Sequence, residues 1–534
     1  MLVRTRLQQL IACVGVILVV AACGGGPAGT SAGPAGPPQQ GGSLTTLVTS
    51  GFAGSWPSGL DPATNTTGGA NLSHMNAIFS GLFKLVADDD GGNARVEPEL
   101  ASGYEFEDGG KTVKVSIREG IEFSDGTPFD AEAVAFNWER AVDSSCTCAP
   151  RWPLVEEGGI TVEGNTVVLK FTQPYAAVIN SMVVSNANWI ASPTALEKMG
   201  EEKFKMKPVG AGPFKVVSNR LSSELRLTRN ENYHKQGRPY LDELIIKSVG
   251  GDQPAYQAVL AGQAQVFEGM VTTPLIDQAQ GNPQVTVTPQ PPTSPYVIQL
   301  NTKKAPFDEQ KAREAIYYAT DVEAIRKGLF GNRYPAAQTF TGPGGMFHDD
   351  TVPGYRTYDP EKARQLVKEL GGLTVHLGTI KQYVAEQINT ALQSQWEEVG
   401  IKTTIDSHEL NSLIGNFNSG EWEAMLQTAG AWDPAAGVGV GFRFDSEAPF
   451  SGVADPELDT LLDDAAATIE PQERDELYAE AGKLISDKAY APFILAFAPT
   501  NIAAEGVHGP GVTTKIPPVL VNTGIQWDEV WMSQ

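Results

Sequence analysis

The chain has 534 residues, a length that favours two to four globular domains over one. Hydrophobic residues make up 41% and aromatic residues 8%, which supplies several buried cores and excludes a disordered or collagen-like chain. There are 63 Asp and Glu against 39 Lys and Arg, giving a formal charge of −24. Such an acidic surface repels phosphates and argues against nucleic-acid binding. Four cysteines in so long a chain exclude a disulfide-stapled scaffold.

The first 22 residues are typical of an export signal. Arg4 and Arg6 precede an apolar run from Leu10 to Val20, which is too short for a membrane-spanning helix. Small residues then lead directly into Cys23 and resemble a lipobox, the site at which bacterial lipoproteins are diacylated and cleaved. We expect a lipidated Cys23; the alternative is an ordinary cleaved signal with a cysteine nearby. Two acyl chains suffice for stable anchoring.

Residues 23–42 form the predicted tether. From Gly24 to Gly42 the chain contains only Gly, Pro, Ala, Ser, Thr and Gln, which cannot bury a core. At about 5–6 Å × √n, its mean reach of roughly 24 Å would hold the body close to a membrane surface. The sequence Gly29–Gly33 fits the serine-hydrolase pattern G-x-S-x-G, but it lacks the flanking strand and helix that the motif requires and is assigned to chance.

Strands and helices both follow. In chain order, alternating or apolar runs predict strands at residues 43–48, 112–117, 167–171 and 225–227. Asp359 and Pro360 suit the start of a helix whose apolar stripe continues to Leu370. Further apolar stripes predict helices over 384–399, 458–465 and 477–485, and a strand at 401–405.

Catalytic and metal-binding patterns find little support. None of the six histidines forms H-x-x-x-H or lies beside a cysteine at zinc spacing. Asp88 to Gly92 resembles a calcium loop only superficially, because Asn93 occupies the position that requires glycine, so a hairpin turn is expected there. We therefore predict no catalytic residues, no metal site and no cofactor. Cys146 and Cys148 are interpreted as a disulfide or as an inert pair of thiols.

From about Leu60 onward the chain resembles the extracytoplasmic solute-binding proteins of ABC importers, in the group that includes dipeptide-, oligopeptide- and nickel-binding proteins. The motifs that carry the resemblance occur in family order along almost the whole body. They are Leu60-Asp61-Pro62, Ile78 to Leu82, Pro98 to Ala101, Ser116 to Gly120 with Phe123 to Pro128, Pro208 to Phe214, Tyr240-Leu241-Asp242, Pro306-Phe307-Asp308 with Arg313, Tyr358-Asp359-Pro360, and Arg474 with Tyr478.

Two positions depart from the family pattern. Gln265 stands where the family's G-x-I-D has Asp, and we expect that position to be structural. Peptide-binding members often carry an Asp, a few residues before an Asp-Pro pair, that binds the peptide's amine. Here Asp433-Pro434 matches the pair, but the amine-binding position falls on Gly430. The sequence from Gly430 to Pro434 is closer to that of the nickel-binding members. Free dipeptides are therefore less secure as ligands.

The resemblance implies an α/β fold: a two-lobed, periplasmic-binding-protein-like architecture with a hinge and an inserted subdomain. The base lobe would combine residues 43–68, 205–293 and 498–534. Residues 69–204 would form the inserted subdomain and 294–497 the opposite lobe. Crossings near 294 and 497 would act as hinges, and the extended stretches Tyr296 to Leu300 and Ile494 to Phe497 suit that role.

Ligand-binding candidates follow from position and chemistry. Those of the base lobe and the inserted subdomain are Ser50, Gly51, Phe52 and Trp189. Those of the hinge and the opposite lobe are Tyr296, Trp432 and Asp433. Aromatic side chains offer a rigid apolar face with a polar edge. Trp189 and Trp432 have core packing as the alternative role, and Asp433 has helix capping at Pro434.

The predicted function is that of a monomeric lipoprotein receptor on the outer face of the cell membrane. It would close two lobes over a peptide, without catalysis, and deliver it to the permease and ATPase subunits of an ABC importer. An alternative keeps the scaffold but exchanges the ligand for an oligosaccharide, a metal chelate, haem or a glutathione-like thiol. A remote alternative is a lipid-anchored hydrolase or an adhesin.

Overall fold

A computed structural model describes residues 36–49, 56–57, 59–65, 71–88, 94–142, 154–183, 185–436, 439–448, 450–516 and 524–533. The predicted signal peptide (1–22), the lipidation site Cys23 and most of the tether lie outside the described residues. So do Ser50, Gly51, Phe52, Cys146 and Cys148. Residues 38–534 form one compact unit.

The strands of the described residues lie throughout the body. Those before residue 205 are β1 Ser43–Thr49, β2 Phe83–Ala87, β3 Ala94–Pro98, β4 Ala101–Glu107, β5 Thr112–Ile117, β6 Ile121–Glu122, β7 Pro128–Phe129, β8 Val155–Glu163 and β9 Thr166–Phe171. Those after it are β10 Phe214–Arg220, β11 Glu224–Arg229, β12 Glu243–Val249, β13 Val266–Met270, β14 Val285–Pro289, β15 Ser294–Leu300, β16 Leu373–Ile380, β17 Ile401–His408, β18 Ala424–Thr428, β19 Phe493–Phe497, β20 Thr500–Ala504, β21 Val507–His508 and β22 Trp531–Met532.

The helices are concentrated in the second half, as the apolar stripes predict. Those before residue 300 are α1 Leu72–Phe79, α2 Ala131–Val142, α3 Val178–Met182, α4 Pro193–Met199, α5 Glu201–Phe204, α6 Asp252–Leu260 and α7 Thr273–Gln280. Those after it are α8 Gln310–Ala319, α9 Val322–Phe330, α10 Pro360–Glu369, α11 Tyr383–Glu398, α12 Leu410–Ser419, α13 Val440–Phe444, α14 Pro456–Ala467 and α15 Pro471–Asp487.

The predicted elements are confirmed, with boundaries moved by a few residues. The strands predicted at 43–48, 112–117, 167–171, 225–227 and 401–405 are β1, β5, β9, β11 and β17. Asp359 caps α10, since its side chain accepts a hydrogen bond from the backbone N of Lys362 at 2.9 Å. The Asp88 to Gly92 segment connects β2 to its antiparallel partner β3, as expected for a hairpin, although residues 89–93 lie outside the described part.

A seven-stranded sheet has the order β10-β11-β12-β1-β13-β20-β14 among the described strands. Strand β1 runs parallel to both β12 and β13, whereas β20 runs antiparallel to β13 and β14. Strands β1, β12, β13 and β14 therefore all point the same way. The sheet draws its strands from residues 43–49, 214–289 and 500–504.

A five-stranded sheet, β17-β16-β18-β15-β19, lies entirely within residues 294–497. Strand β16 is parallel to β17 and β18, and β15 is antiparallel to β18 and β19. Strands β16, β17, β18 and β19 therefore share one direction. A four-stranded sheet, β4-β5-β9-β8, belongs to the stretch between β1 and β10. The domain boundaries drawn from the sequence stay a prediction.

The family-like glycine turn at 208–214 has a steric explanation. Gly212 donates its backbone N–H to the carbonyl of Ile78 at 2.9 Å. A Cβ at Gly210 would lie 2.4 Å from that carbonyl oxygen, and one at Gly212 would lie 2.5 Å from the Ile78 carbonyl carbon. The turn therefore requires glycine because it packs directly on the backbone at the end of α1.

Gln265 is structural, as expected. Its Oε1 accepts a hydrogen bond from the backbone N of Thr45 at 2.8 Å, and its own N–H donates to the Thr45 carbonyl at 2.8 Å. Its carbonyl also accepts from Ala504. The residue thus joins strands β1 and β20 just before β13 begins.

The chain passes between the large sheets close to the expected positions near 294 and 497, but the two stretches assigned to the hinge role need correction. Tyr296 to Leu300 and Ile494 to Phe497 are not free connections, because they lie inside β15 and β19 and pair with neighbouring strands. The chain instead passes between the two large sheets at residues 290–293, from β14 to β15, and at 498–499, from β19 to β20. Strand pairing holds the predicted stretches rigid, and these short crossings carry the connection.

Hydrophobic packing crosses the sequence boundaries of the regions. One core joins the seven- and four-stranded sheets and also includes Trp432 and Ala466 from the 294–497 region. A second core lies beneath the five-stranded sheet, around Ile298 and Trp396.

Within the described residues, no helix combines the length and apolarity needed to cross a membrane.

Candidate ligand cleft

Both large sheets present the same edge to the chain crossings. In the first sheet the parallel strands end at Thr49, Val249, Met270 and Pro289, and Pro289 leads into crossing 290–293. In the second sheet they end at Ile380, His408, Thr428 and Phe497, and Phe497 leads into crossing 498–499. Ligands of open α/β sheets bind outside the carboxyl ends of the strands. The candidate site is therefore the cleft between these two carboxyl edges.

The base side of the cleft begins where β1 ends. Ser50, Gly51 and Phe52 directly follow Thr49, but they lie outside the described residues. On the neighbouring strand β13, the Glu268 carboxylate accepts hydrogen bonds from the hydroxyls of Thr46, at 2.8 Å, and Ser73. No cation accompanies these two hydroxyls among the described residues.

The environment of Glu268 favours its neutral form. Burial raises the pKa of Glu268 to about 7, although the two hydroxyl donors act in the opposite direction. His74, on α1 beside Ser73, is also buried, and burial lowers its pKa to about 3. Its ring meets Trp56 edge to face, with centroids 4.9 Å apart. This side of the cleft thus combines a strand end with poorly solvated ionisable groups.

Tyr296 lies on the opposite side, in β15, paired with Thr428. Its hydroxyl donates to Oε1 of Gln382 at 2.8 Å, and its ring contacts Phe497 edge to face. Burial, followed by the nearby Tyr334, raises the pKa of Tyr296 far above its ordinary value. The residue therefore lies at the cleft edge, with its hydroxyl engaged to the residue that precedes α11.

Asp433 forms the centre of a buried hydrogen-bond network. Its carboxylate accepts from Nη2 of Arg474, at 2.8 and 3.1 Å, and from the side-chain amide of Asn180 at 2.8 Å. Asn180 belongs to α3, so this bond joins the 69–204 stretch to the 294–497 stretch. A backbone bond from Ala177 to Ala466, at 3.2 Å, runs alongside it. The network therefore connects the 69–204 and 294–497 stretches, whose strands belong to different sheets.

The charge of Arg474 is stabilised by this arrangement. Burial alone would lower its pKa, but the adjacent Asp433 carboxylate outweighs burial, and the pKa of Arg474 is raised.

Asp433 also accepts a hydrogen bond from the backbone N of Ala435 at 2.9 Å, in a turn that ends before α13 starts at Val440. The capping alternative thus takes the form of a turn cap; no helix begins at Pro434 in the described residues.

The two predicted tryptophans are enclosed. Trp432 is 2% exposed, and its carbonyl accepts from the backbone N of Met346 at 2.7 Å. Trp189 is 1% exposed and donates from Nε1 to the side chain of Asn76 at 2.9 Å. In this conformation neither indole presents a face to solvent. Their role as ligand contacts stays a prediction, as does that of Tyr296 and Asp433.

Three polar residues of the cleft region escape sequence reasoning: Asn180, Glu268 and Arg443. Asn180 and Glu268 belong to no recognisable motif, because their role depends on partners 253 and 222 residues away in the chain. Arg443 does leave a signal, since it is a lone cation in the stretch from Gly437 to Phe444. Across the described residues, no group of three His, Cys, Asp or Glu side chains is arranged to hold a metal ion.

Comparison with known proteins identifies the family. Residues 95–447 match the model of the bacterial extracellular solute-binding proteins, family 5, middle region. The glutathione-binding protein GsiB of Salmonella paratyphi A is 28% identical over 439 residues, covering 78% of this chain and 83% of that protein.

Solved structures share the fold across nearly the whole chain. One is a dipeptide-binding protein from Pseudoalteromonas sp. SM9913 in complex with Met-Leu, with a TM-score of 0.78, 19% identity and coverage of 92% of this chain and all of the other. Another is AgaA of A. tumefaciens R10 in complex with agropinic acid, with a TM-score of 0.76, 22% identity and coverage of 92% and 99%. The fold is thus the two-lobed α/β architecture expected from the sequence, and the chain belongs to the bacterial extracellular solute-binding proteins of family 5.

Proposed function

We propose that the mature protein is the lipid-anchored receptor of an ABC importer, which binds peptides between its lobes and delivers them to a membrane permease. One observation carries the proposal: the carboxyl edges of both sheets adjoin the two chain crossings, an arrangement that lets two lobes close over a ligand. Closure is a binding step that leaves the ligand chemically unchanged. The protein would act as a monomer, with the permease and ATPase subunits as its partners.

Peptides are the favoured ligand class. The named ligands of two relatives, glutathione and Met-Leu, are both peptides. An extended peptide can pair its main chain with strand edges, and ordered water can accommodate varied side chains. In this proposal the ligand is contacted by the candidates already named: Ser50, Gly51, Phe52, Trp189, Tyr296, Trp432 and Asp433.

A ligand panel tests the proposal by thermal unfolding of the full mature chain. The panel consists of glutathione, Met-Leu and agropinic acid. A ligand at 100 times its Kd should add about 2.7 kcal/mol to the free energy of unfolding. We expect at least one peptide to raise the Tm; a rise with agropinic acid alone would reject peptides and favour the alternative of another solute on the same scaffold. Recovery of any panel member in altered form would instead favour the hydrolase alternative.

The anchor is tested separately by metabolic labelling with a fatty acid in a bacterial host. Wild-type protein should incorporate the label and sediment with membranes, because a diacylated cysteine anchors stably. Cys23→Ser should lose both properties. Cys146→Ser serves as the matched control and should retain both. Labelling of the Cys23→Ser variant would contradict the anchor.

A further inference from the structure

Arg443 is a buried cation at the carboxyl edge of the five-stranded sheet. It lies in α13 and is 7% exposed. Its Nε donates to the carbonyl of Thr428, the last residue of β18, at 3.1 Å. Thr428 pairs with Tyr296 across β15, so the guanidinium lies at the cleft edge of the sheet.

The guanidinium uses only part of its hydrogen-bonding capacity. It carries five N–H donors, yet within the described residues only the Nε–H has an acceptor, and no carboxylate forms an ion pair with it. Neither Nη nitrogen is fully enclosed, and neither has an acceptor among the described residues, although the side chain as a whole is buried. Burial lowers the pKa of Arg443 to about 9, so the side chain stays charged at neutral pH.

The other two buried arginines of the same region differ. Arg474 is paired with Asp433 and also donates to the carbonyl of Ala465 at 2.9 Å. Arg313 donates to the carbonyls of Phe307, at 2.7 Å, and Lys488, at 2.9 Å. In both side chains, therefore, Nε and at least one Nη nitrogen have internal acceptors. A buried charge without such partners is costly, and Arg443 has one neutral acceptor.

Aromatic rings orient the guanidinium. Its central carbon lies 5.0 Å from the ring centroid of Phe442 and 5.8 Å from that of Phe450. The two rings are themselves stacked, with centroids 4.4 Å apart. Contact with ring faces and the bond from Nε together fix the plane of the group and leave its Nη edge free. A planar Nη edge matches the two oxygens of a carboxylate.

We infer that Arg443 is the anion-binding residue of the cleft and that it takes a carboxylate group of the ligand in a bidentate contact. The planar fork of one guanidinium matches the two oxygens of one carboxylate. This inference rests on the proposed function and adds to it that the ligand is an acid, such as a peptide with a free carboxyl terminus.

The test compares acid and amide forms of one ligand by calorimetry on the full mature chain. Wild type, Arg443→Gln and Arg443→Lys are titrated with Met-Leu, with Met-Leu amide and with the rest of the ligand panel. We expect wild type to prefer the free acid, and Arg443→Gln to raise the Kd of the acid by about 30-fold or more while leaving that of the amide unchanged. Arg443→Lys should be intermediate, because ammonium lacks the planar fork. The exposed Arg364→Gln variant is the control and should match wild type.

Melting without ligand supplies a readout that does not depend on ligand identity. Arg443→Gln should melt at or above the wild-type temperature, because it removes an uncompensated buried charge. A fall in Tm as large as that of Arg474→Gln would overturn the inference, as would an acid Kd unaffected by Arg443→Gln. Should no panel member bind, this melting comparison decides alone.

The two proposals can fail independently. Peptide binding that ignores Arg443→Gln would reject the carboxylate contact and keep the peptide receptor. Binding of agropinic acid alone, lost in Arg443→Gln, would reject peptides and keep the carboxylate contact.

Discussion

Arg474 and Arg443 are both buried in the 294–497 region, but their surroundings differ. Arg474 faces the Asp433 carboxylate, which raises its pKa, whereas Arg443 faces ring faces and one carbonyl, and burial lowers its pKa. The first charge is neutralised inside the protein. The second lacks an internal counter-charge and retains open donors. The pair of Arg474 and Asp433 therefore stabilises the fold, whereas Arg443 is the charge for which we infer a ligand partner.

Two acids outside the 294–497 region, Glu99 and Glu268, show the same contrast. Burial alone would raise the pKa of Glu99, but His234 and Lys235 outweigh it, and the pKa is lowered to about 2. Lys235 lies 2.5 Å from Glu99 and also contacts Asp528 near the C-terminus. Glu268 has hydroxyl donors only, and its pKa is raised. The ionised form of Glu99 therefore stabilises the folded state, whereas ionisation of Glu268 destabilises it.

The largest expected effect on the free energy of unfolding comes from breaking the buried pair of Arg474 and Asp433. Arg474→Gln leaves the Asp433 carboxylate buried with too few donors, and the free energy of unfolding should fall by about 3–5 kcal/mol. Urea unfolding measures the change. Arg364→Gln, which removes an exposed helix-surface pair with Glu361, is the control and should change stability by less than about 0.5 kcal/mol. Equal effects of the two variants would remove the basis of the comparison.

Glu268→Gln sharpens the comparison on the acid side. Because the folded pKa is raised above the unfolded value, the favourable contribution of Glu268 is complete below about pH 4.5 and declines until about pH 7. The variant should therefore be more stable than wild type at pH 8, by about 2 kcal/mol, and equal to it at pH 4. Unfolding by urea at both pH values measures this. A gain that appears equally at pH 4, or in the exposed control Glu197→Gln, would contradict the assignment.

Asn180→Ala tests the bond between the two regions at Asp433. Loss of an amide that donates to a buried carboxylate should cost about 1–2 kcal/mol of stability. Solution scattering should also give a larger radius of gyration without ligand, because this bond favours contact between the regions. The exposed Asn418→Ala variant controls for the loss of an asparagine. An unchanged radius would limit the role of Asn180 to local packing.

The smallest effect is expected for Tyr296→Phe. It deletes the hydroxyl that donates to Gln382 and should reduce the free energy of unfolding by about 1 kcal/mol. The exposed Tyr104→Phe variant should be neutral. If Tyr296 also contacts ligand, as proposed, Tyr296→Phe should weaken panel binding beyond its effect on stability.

Local patterns in the sequence predict the elements well, because periodicity and caps act over a few residues. The strand at 112–117 and the Asp359 cap follow from neighbours in the chain alone. The hinge stretches were misplaced for the complementary reason. An extended apolar stretch such as Tyr296 to Leu300 is compatible with a connection between lobes and with an inner strand. Only its pairing with β18 shows that it is a strand.

The site was less predictable, because its polar contacts depend on distant partners. The resemblance led to Asp433, but nothing in the sequence shows that Asn180 and Arg474 converge on its carboxylate. Nor does the sequence show that Trp189 is buried with its indole N–H donating to Asn76, which is what its core-packing role depends on. Arg443 also escapes the sequence analysis, although as the one cation between Gly437 and Phe444 it leaves a signal there.

The chain passes between the two large sheets twice, at 290–293 and at 498–499. Two attachment points define a line, and one half of the molecule can rotate about that line while both connections keep their length. Rotation about this line is therefore the relative motion of the halves that strains the two crossings least.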